Sequence, residues 1–543
     1  MLTLRNLRKT ALVLAVAGAV GTVGAAQAAS NSLATVSRAT RLVSGDAISG
    51  ALALSHPIHV TVALKLRDQD GLRAFNAKPH QPMSRSQLEA RHLPTQAQAQ
   101  AVANFLKSAG FTNVSISRNR MLVQADGNAS VAARAFNTSL ARVRTHDGRD
   151  SFANTGDVRI PASLRGTVQA VLGLQDVHQA HIHAVVAQAQ AGTNAVTGHN
   201  PLDFANIYGA SGLDPATDMN VAVWGWGSMA PTLSDLTHYE NDNGLSHTST
   251  NVVCSLANGS VITNDPTCQT TDQGSIEWDL DSQDIVAMTG GVNNLTFYAA
   301  PSGNNGQITT SLGVIVDPPS GIPLATVINA SFGECERFTD SGQGGDGSAQ
   351  ADDALFQVGL AQGQTFSVST GDAGYNNCGD KPAKDSASYP ASSPYVIAVA
   401  GTTLDATTST YNSESVWRSS GGSPSSFEPA PSWQHNRGAF AGSRGPDIAF
   451  DGDPNSGAII YVSSFGGYVQ VGGTSLSAPI FAGSWARLIS NGVVDAGTAA
   501  GQQLYAFPYR DFHDVKTGNN GGFKAHLGLD WASGRGSLDL SKF

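Results

Sequence analysis

The sequence predicts an α/β protein, a parallel sheet with helices on both faces, preceded by a small α+β domain. Three observations carry this. Beyond Pro201, short apolar runs ("NVAVWGWG", "NNLTFYAA", "ATVINASFG", "QTFSVSTGD" and "YVIAVAGTT") are separated by longer helical stretches, as parallel strands require, because each pair must be joined by a crossover. Between about residues 50 and 175, strand-like and helix-like stretches alternate over a shorter span. At 543 residues, with 41% hydrophobic and only 14% charged, the chain exceeds one ordinary domain and can bury a substantial core.

The first thirty residues carry Arg5, Arg8 and Lys9, then the apolar run "ALVLAVAGAVGTVGAA", then Ala26-Gln27-Ala28. This is the pattern of a secretory signal over 1–28, cut after Ala28, and it predicts an extracellular protein. Glycines break the run, unlike a membrane anchor, and no later stretch reads as transmembrane. In the α+β domain (29–183), "HPIHVTVALKL" and "TNVSISRNRMLVQA" alternate as strands do, while "TQAQAQAVANFLKSAGF" and "ASVAARAFNTSL" put apolar residues at helical spacing. Next comes "HIHAVVAQAQAGTNAVTGHNP" (181–201), rich in Ala, Gln and Gly and nearly uncharged, which reads as a linker with a cleavage region over 184–199. Residues 200–543 then supply the sheet, and 59 glycines imply many tight turns.

Charge is divided unevenly. Residues 1–189 hold 20 Lys+Arg against 9 Asp+Glu, hence +11, and residues 190–543 hold 12 against 33, hence -21. The two parts should attract at neutral pH and lose that attraction as carboxylates protonate. Basic stretches such as "RNR" (118–120) lack the interleaved aromatics of a nucleic-acid groove, so no nucleic-acid partner is expected. Cys254, Cys268, Cys335 and Cys378 include no CxxC pair, and in an exported chain they predict disulfides. Three pairings are open, and least loop closure favours Cys254 with Cys268 and Cys335 with Cys378.

In "GGTSLSAPIFAGSWARLI" a Gly-Gly turn leads into Ser475 and then a helix, with Pro479 expected in its first turn. A hydroxyl at a helix N-terminus sits where developing negative charge is favoured. The GTSxSAP pattern resembles the serine segment of subtilases, whose mechanism needs a histidine base. The second part of the chain has only His199, His238, His247, His435, His513 and His526, none of them in a His-Gly-Thr context. Glu277 and Asp281 in "GSIEWDLDSQDIVAM" are four apart at helical period, so both emerge on one face. Like charges that close share a proton, and in acid a carboxylate is a workable general base where an imidazole is already protonated. The roles are then Ser475 as nucleophile, Glu277 as its acid/base and Asp281 as partner to Glu277. Asp372, on the Gly-rich turn of "VSTGDAGYNN", is a candidate to donate to an oxyanion in its neutral form.

Together, "EWDLD", "STGDAG" and "GGTSLSAP", in this order, resemble the sedolisins, the serine-carboxyl peptidases, in their pseudomonalisin and xanthomonalisin branch. The resemblance implies a subtilisin-like catalytic domain behind a ferredoxin-like propeptide that acts as intramolecular inhibitor. It implies Glu277, Asp281 and Ser475 as the triad and Asp372 as oxyanion-hole acid. It also implies a secreted, monomeric endopeptidase active on proteins and peptides in acid, made as a zymogen that cuts itself. One structural calcium ion is implied as well, held by Asp514 and Asp530 and the carbonyls of Val515, His526 and Gly528, all oxygen ligands that suit it. The chain departs from the family where Ala-His-Leu-Gly-Leu-Asp (525–530) replaces Ala-Gly-Pro-Gly-Trp-Asp, since histidine lacks glycine's backbone freedom. It departs again at Phe332, where relatives often have tryptophan. The competing readings are a neutral-pH subtilase, opposed by the missing His-Gly-Thr, and an inert binding protein, opposed by the presence of all four key residues.

Overall fold

A computed structural model describes residues 32–187, 198–271, 274–434, 440 and 442–543. The signal segment 1–28, positions 188–197 of the linker and His435 lie outside the described residues.

The first domain is built from β1 (Pro57–Leu64), α1 (Gln96–Ala109), β2 (Thr112–Ile116), β3 (Leu122–Asn128), α2 (Ala129–Ala135) and β4 (Val168–Leu172). Its sheet runs β2-β3-β1-β4 with every pair antiparallel, the ferredoxin-like order. Thr95 starts α1 by a capping box with Gln98, and Gly110 at φ +101° ends it. The buried face of α1, Ala99, Val102, Ala103 and Leu106, shares a core with Val60, Val62, Val123 and Ala125. The stretch "TNVSISRNRMLVQA" is a hairpin rather than one strand. Arg120 takes φ +61° there, and its N–H returns to the Ser117 carbonyl at 2.9 Å.

The second domain follows as β5 (Asn220–Trp226), β6 (Thr250–Ser255), β7 (Val261–Thr263), α3 (Ser275–Thr289), β8 (Asn294–Ala300) and α4 (Asn305–Ile315). It continues through β9 (Val327–Ala330), α5 (Ser348–Ala361), β10 (Thr365–Ser369), β11 (Ile397–Ala406), β12 (Tyr411–Val416), β13 (Ile448–Asp451) and α6 (Thr474–Ser490). The sheet order is β7-β6-β8-β5-β9-β10-β11-β12, with β13 also on β11. All pairs are parallel except those of β7 and β12. Strands β8 and β9 flank β5, so strand order reverses there, and such a point opens a crevice at the strands' carboxyl ends. Helices α3 and α6 are buried along almost their whole length. Their close approach explains Gly483, where a Cβ would stand 2.6 Å from Met288 Cβ. No helix among the described residues is long and apolar enough to cross a membrane.

The two domains meet through neutral hydrogen bonds and a few contacts made by arginine. Gln124 donates to Thr310 Oγ1 at 2.9 Å, and Asn76 donates to the Gln357 carbonyl at 2.8 Å. Among the described residues, the ion pairs across the boundary are Arg85 and Arg118 to Asp317, at 3.2 and 3.7 Å. Disulfides join Cys254 to Cys268 and Cys335 to Cys378.

Residues 181–187 do not run as a free linker. His181–Ile182 pairs with Phe332–Cys335, and Val185–Val186 pairs with Gly467–Gly472, both antiparallel. Between these strands the chain crosses the crevice.

Candidate active site

Helix α3 puts Glu277 in its first turn and Asp281 one turn later, both fully buried. Asp281 Oδ1 accepts from Ser331 Oγ at 2.6 Å, and Ser331 Oγ accepts from Asn329 Nδ2 at 2.9 Å. Asp281 Oδ2 has no donor, which leaves it free for a proton. Burial raises both acids, and Glu277 rises further because Asp281 stands beside it. The hydrogen bond from Ser331, with the Asn329 amide behind it, pulls Asp281 the other way. Asp284 lies on the same helix face and is also raised by burial, then by Asp281 and Asp451, so the dyad backs onto a third carboxyl that resists ionising. Ser331 and Asn329 are site residues that sequence reasoning missed. They sit two apart at the end of β9, in "NASFGE", so that both side chains project toward α3. Phe332 packs edge-to-face on Trp224 and Trp226 instead of hydrogen bonding, with ring centres 5.0 and 5.2 Å away.

Ser475 is the second residue of α6, buried under the cleft. Its hydroxyl points at the Ser331 carbonyl oxygen, 3.4 Å away, and is near enough to the Glu277 carboxyl to draw its pKa down against burial, while Glu277 Oε1 has no hydrogen-bond partner. Pro479 is the sixth residue of α6, not in the first turn. Having no N–H, it leaves the Ser475 carbonyl without its helical partner, and Ser331 Oγ approaches that oxygen to 3.4 Å. Of the expected histidines, His238 faces Asp242, His247 bonds Asn241 and His513 stacks on Tyr411. None of them hydrogen-bonds Ser475.

Asp372 follows β10. Thr474 N and Oγ1 donate to its Oδ1 at 2.9 and 2.8 Å, while the buried Oδ2 has no donor. Burial pushes its carboxyl up to about 7 against these two bonds. Gly473, at φ +104°, is bare backbone beside it.

The end of the first domain fills this cleft. His183 N and Ala184 N both donate to Glu277 Oε2, at 3.0 and 2.7 Å. The imidazole of His183 bonds Ser369 Oγ through Nδ1 at 2.8 Å, so this ring, which belongs to the first domain, does not serve Ser475. A Cβ on Gly473 would stand 1.9 Å from the His183 carbonyl oxygen and 2.7 Å from Asp372 Oδ2. Both oxygens thus crowd one point that only glycine leaves open. Asp372 Oδ2, which has no donor of its own, therefore faces the region of this carbonyl, where a protonated carboxyl would find an acceptor. The His183–Ala184 peptide bond therefore lies with its carbonyl at Asp372 and its nitrogen at Glu277.

Near the C-terminus, Asp514 and Asp530 bracket one loop. Gly528 N donates to Asp514 Oδ1 at 3.1 Å, and His526 N donates to Asp530 Oδ2 at 2.9 Å. Ala532 N, Ser533 N and Ser533 Oγ fix Asp530 Oδ1. Gly528 takes φ +82°, whereas His526 keeps an ordinary negative φ, so the glycine that this loop needs is retained. Both residues offer hard carboxylate oxygens, the donor type that suits calcium, and Lys516 Nζ stands 3.9 Å from Asp514 Oδ2. Among the described residues, no three His, Cys, Asp or Glu gather into a metal-binding group.

Residues 46–177 match the Pro-kumamolisin activation domain, and residues 294–500 match the subtilase family. The chain is 38% identical to xanthomonalisin of Xanthomonas sp. (strain T-22) over 565 residues, covering 92% of this chain and 66% of that protein. It is 38% identical to sedolisin of Pseudomonas sp. (strain 101) over 526 residues, covering 90% of this chain and 87% of that protein. A solved structure of Pseudomonas sedolisin, a serine-carboxyl proteinase complexed with two molecules of pseudo-iodotyrostatin, superposes with a TM-score of 0.57 at 39% identity. It covers 64% of this chain and 97% of that one. With relatives this similar over nearly its full length, and an activation domain ahead of a subtilisin-like sheet, the chain belongs to the sedolisin family of serine-carboxyl peptidases.

Proposed function

We propose that this protein is secreted as an inactive precursor, cuts its own His183–Ala184 bond in acid, and then hydrolyses protein chains at acidic pH. The observation that carries this is the seating of that bond, with the His183 carbonyl oxygen beside Asp372 and the Ala184 nitrogen 2.7 Å from Glu277 Oε2.

Ser475 Oγ adds to the His183 carbonyl carbon as its proton passes to the Glu277 carboxylate, while Asp281 keeps the proton the pair shares. The carbonyl oxygen gains the negative charge and takes a hydrogen bond from neutral Asp372. When the C–N bond breaks, Glu277 returns its proton to the Ala184 nitrogen, leaving an acyl ester on Ser475 and a free amine. Water, deprotonated by Glu277, then adds to the ester, and the proton goes back to Ser475 Oγ as it leaves. Each step needs Asp372 protonated and the dyad carrying one proton, which supports acid activity. The expected first product, on holding the purified precursor at about pH 4, is a catalytic chain beginning at Ala184, read by mass spectrometry. A first cut elsewhere overturns the register.

Asp514, Asp530 and the carbonyls of Val515, His526 and Gly528 would hold a calcium ion that braces the C-terminal loop. An ion bound only by the folded state stabilises it. A chelator is expected to lower the melting temperature by roughly several degrees, and Asp514→Ala should abolish that response. An unchanged melting curve sinks the assignment.

A further inference from the structure

We propose that the mature cleft selects its substrates by the two residues before the cut, an aliphatic side chain followed by a hydrogen-bonding ring such as histidine, and that Ser369 reads the ring. This rests on the peptidase reading above, because it treats the prosegment as a substrate lying in register.

Ser369 closes β10 at its carboxyl end and is fully buried. Its hydroxyl meets His183 Nδ1 at 2.8 Å. A hydroxyl both donates and accepts, so it pairs with either tautomer of the neutral ring, which is the form the slot holds because burial pushes the His183 imidazole down to about 3. The opposite wall is Gly333. A Cβ there would stand 3.2 Å from His183 Cε1, and also 2.3 Å from Ser388 Oγ and 2.9 Å from the Tyr389 carbonyl. The ring therefore lies against bare backbone, in a slot that a flat side chain suits. An aliphatic side chain at this position would leave the Ser369 hydroxyl closed off without a partner, the kind of mismatch that separates substrates by rate.

The preceding residue meets a different surface. Ile182 packs against the main core, its Cγ2 and Cδ1 3.4 and 3.5 Å from where a Gly274 Cβ would be, with Trp278 flanking the same point. A carboxylate in that place would lose its water without gaining a partner. Beyond the cut, Val185 is 37% exposed, and the segment is held by backbone pairing with Gly472 and Val471. Selection thus falls on the two residues before the cut.

The test competes three peptides in one mixture with the mature enzyme: Ile-His-Ala, Ile-Leu-Ala and Asp-His-Ala cores in otherwise identical flanks. Histidine is expected to exceed leucine in kcat/KM by about tenfold, the scale of one buried hydrogen bond, and isoleucine to exceed aspartate by more. Ser369→Ala should bring the His:Leu ratio to near one, and Ser369→Thr should restore it. The wild-type ratios test the idea even if a variant fails to fold. Ser475-dependent cleavage with no His preference, or a ratio unmoved by Ser369→Ala, overturns the specificity and leaves the peptidase reading standing. Absence of any Ser475-dependent cleavage overturns both.

Discussion

Replacing Ser475 by alanine is expected to leave the precursor whole in acid and to lower peptide hydrolysis by at least about 10⁴-fold. The hydroxyl is the only group at this position able to form the acyl bond, and alanine is smaller than serine and a good helix former, so it fits the buried second position of α6. Glu277→Gln should behave comparably, because an amide cannot accept the proton from Ser475 Oγ or return one to Ala184 N, although it fills the same volume. Gel mobility of each precursor after acid treatment checks both variants. A catalytic chain appearing in either one, without added wild-type enzyme, sinks the mechanism.

Asp372 should set the alkaline limit. Its neutral form is the donor, so the donor is present below its pKa and is lost as pH rises through about 7 in the precursor. Burial is the main cause of that elevation, and release of the prosegment lets water into the cleft. The group then falls toward its ordinary range. Self-cleavage is accordingly expected to persist to higher pH than hydrolysis of added peptide, a difference read from the two rate profiles. Asp372→Ala should cost about 10²–10³ in kcat at acidic pH, the usual loss for one oxyanion donor. Asp372→Asn keeps an N–H at every pH, so its activity relative to wild type should climb as pH rises. Identical profiles for wild type and Asp372→Asn would show that the oxyanion is stabilised by other groups.

Much of this was legible in the sequence because it is local. The four-residue step from Glu277 to Asp281 fixes a common helix face, the turn before Ser475 fixes a helix start, and "STGDAG" fixes a carboxyl at a strand end. The parallel sheet was legible too, since its buried strands are short apolar runs. What escaped is what depends on distant pieces meeting. Ser331 becomes a partner of Asp281 only when β9 comes beside α3, and attention to Phe332 passed over its neighbour. Pro479 was expected in the first turn because proline prefers that place, but the helix that follows the Gly-Gly turn already begins at Thr474, which makes Pro479 its sixth residue. The stretch 181–187 looked like loose linker because its low charge and small residues are equally those of a strand held by backbone bonds, whose partners lie some 150 and 290 residues onward. The second glycine of "GGTSLSAP" answers to its φ of +104°, to Asp372 and, most tightly, to the His183 carbonyl, which comes from the other domain.

The route of 181–187 also bears on what happens after the first cut. Ala187 N is bonded to the Gln470 carbonyl, and His199 N to the Gly457 carbonyl, so both ends of the intervening stretch are moored to the same hairpin, Ala458–Val462 with Gly467–Gly472. Cutting at Ala184 frees the first domain but leaves the new amino end tied to the enzyme beside its own cleft. A peptide so tethered competes at an effective concentration on the order of millimolar, ahead of most dissolved substrates. The enzyme would thus emerge from its first turnover as a product complex with itself, and full activity would await a second cut that removes the tether. A lag in peptide hydrolysis that outlasts loss of the first domain is the kinetic trace such a leash would leave.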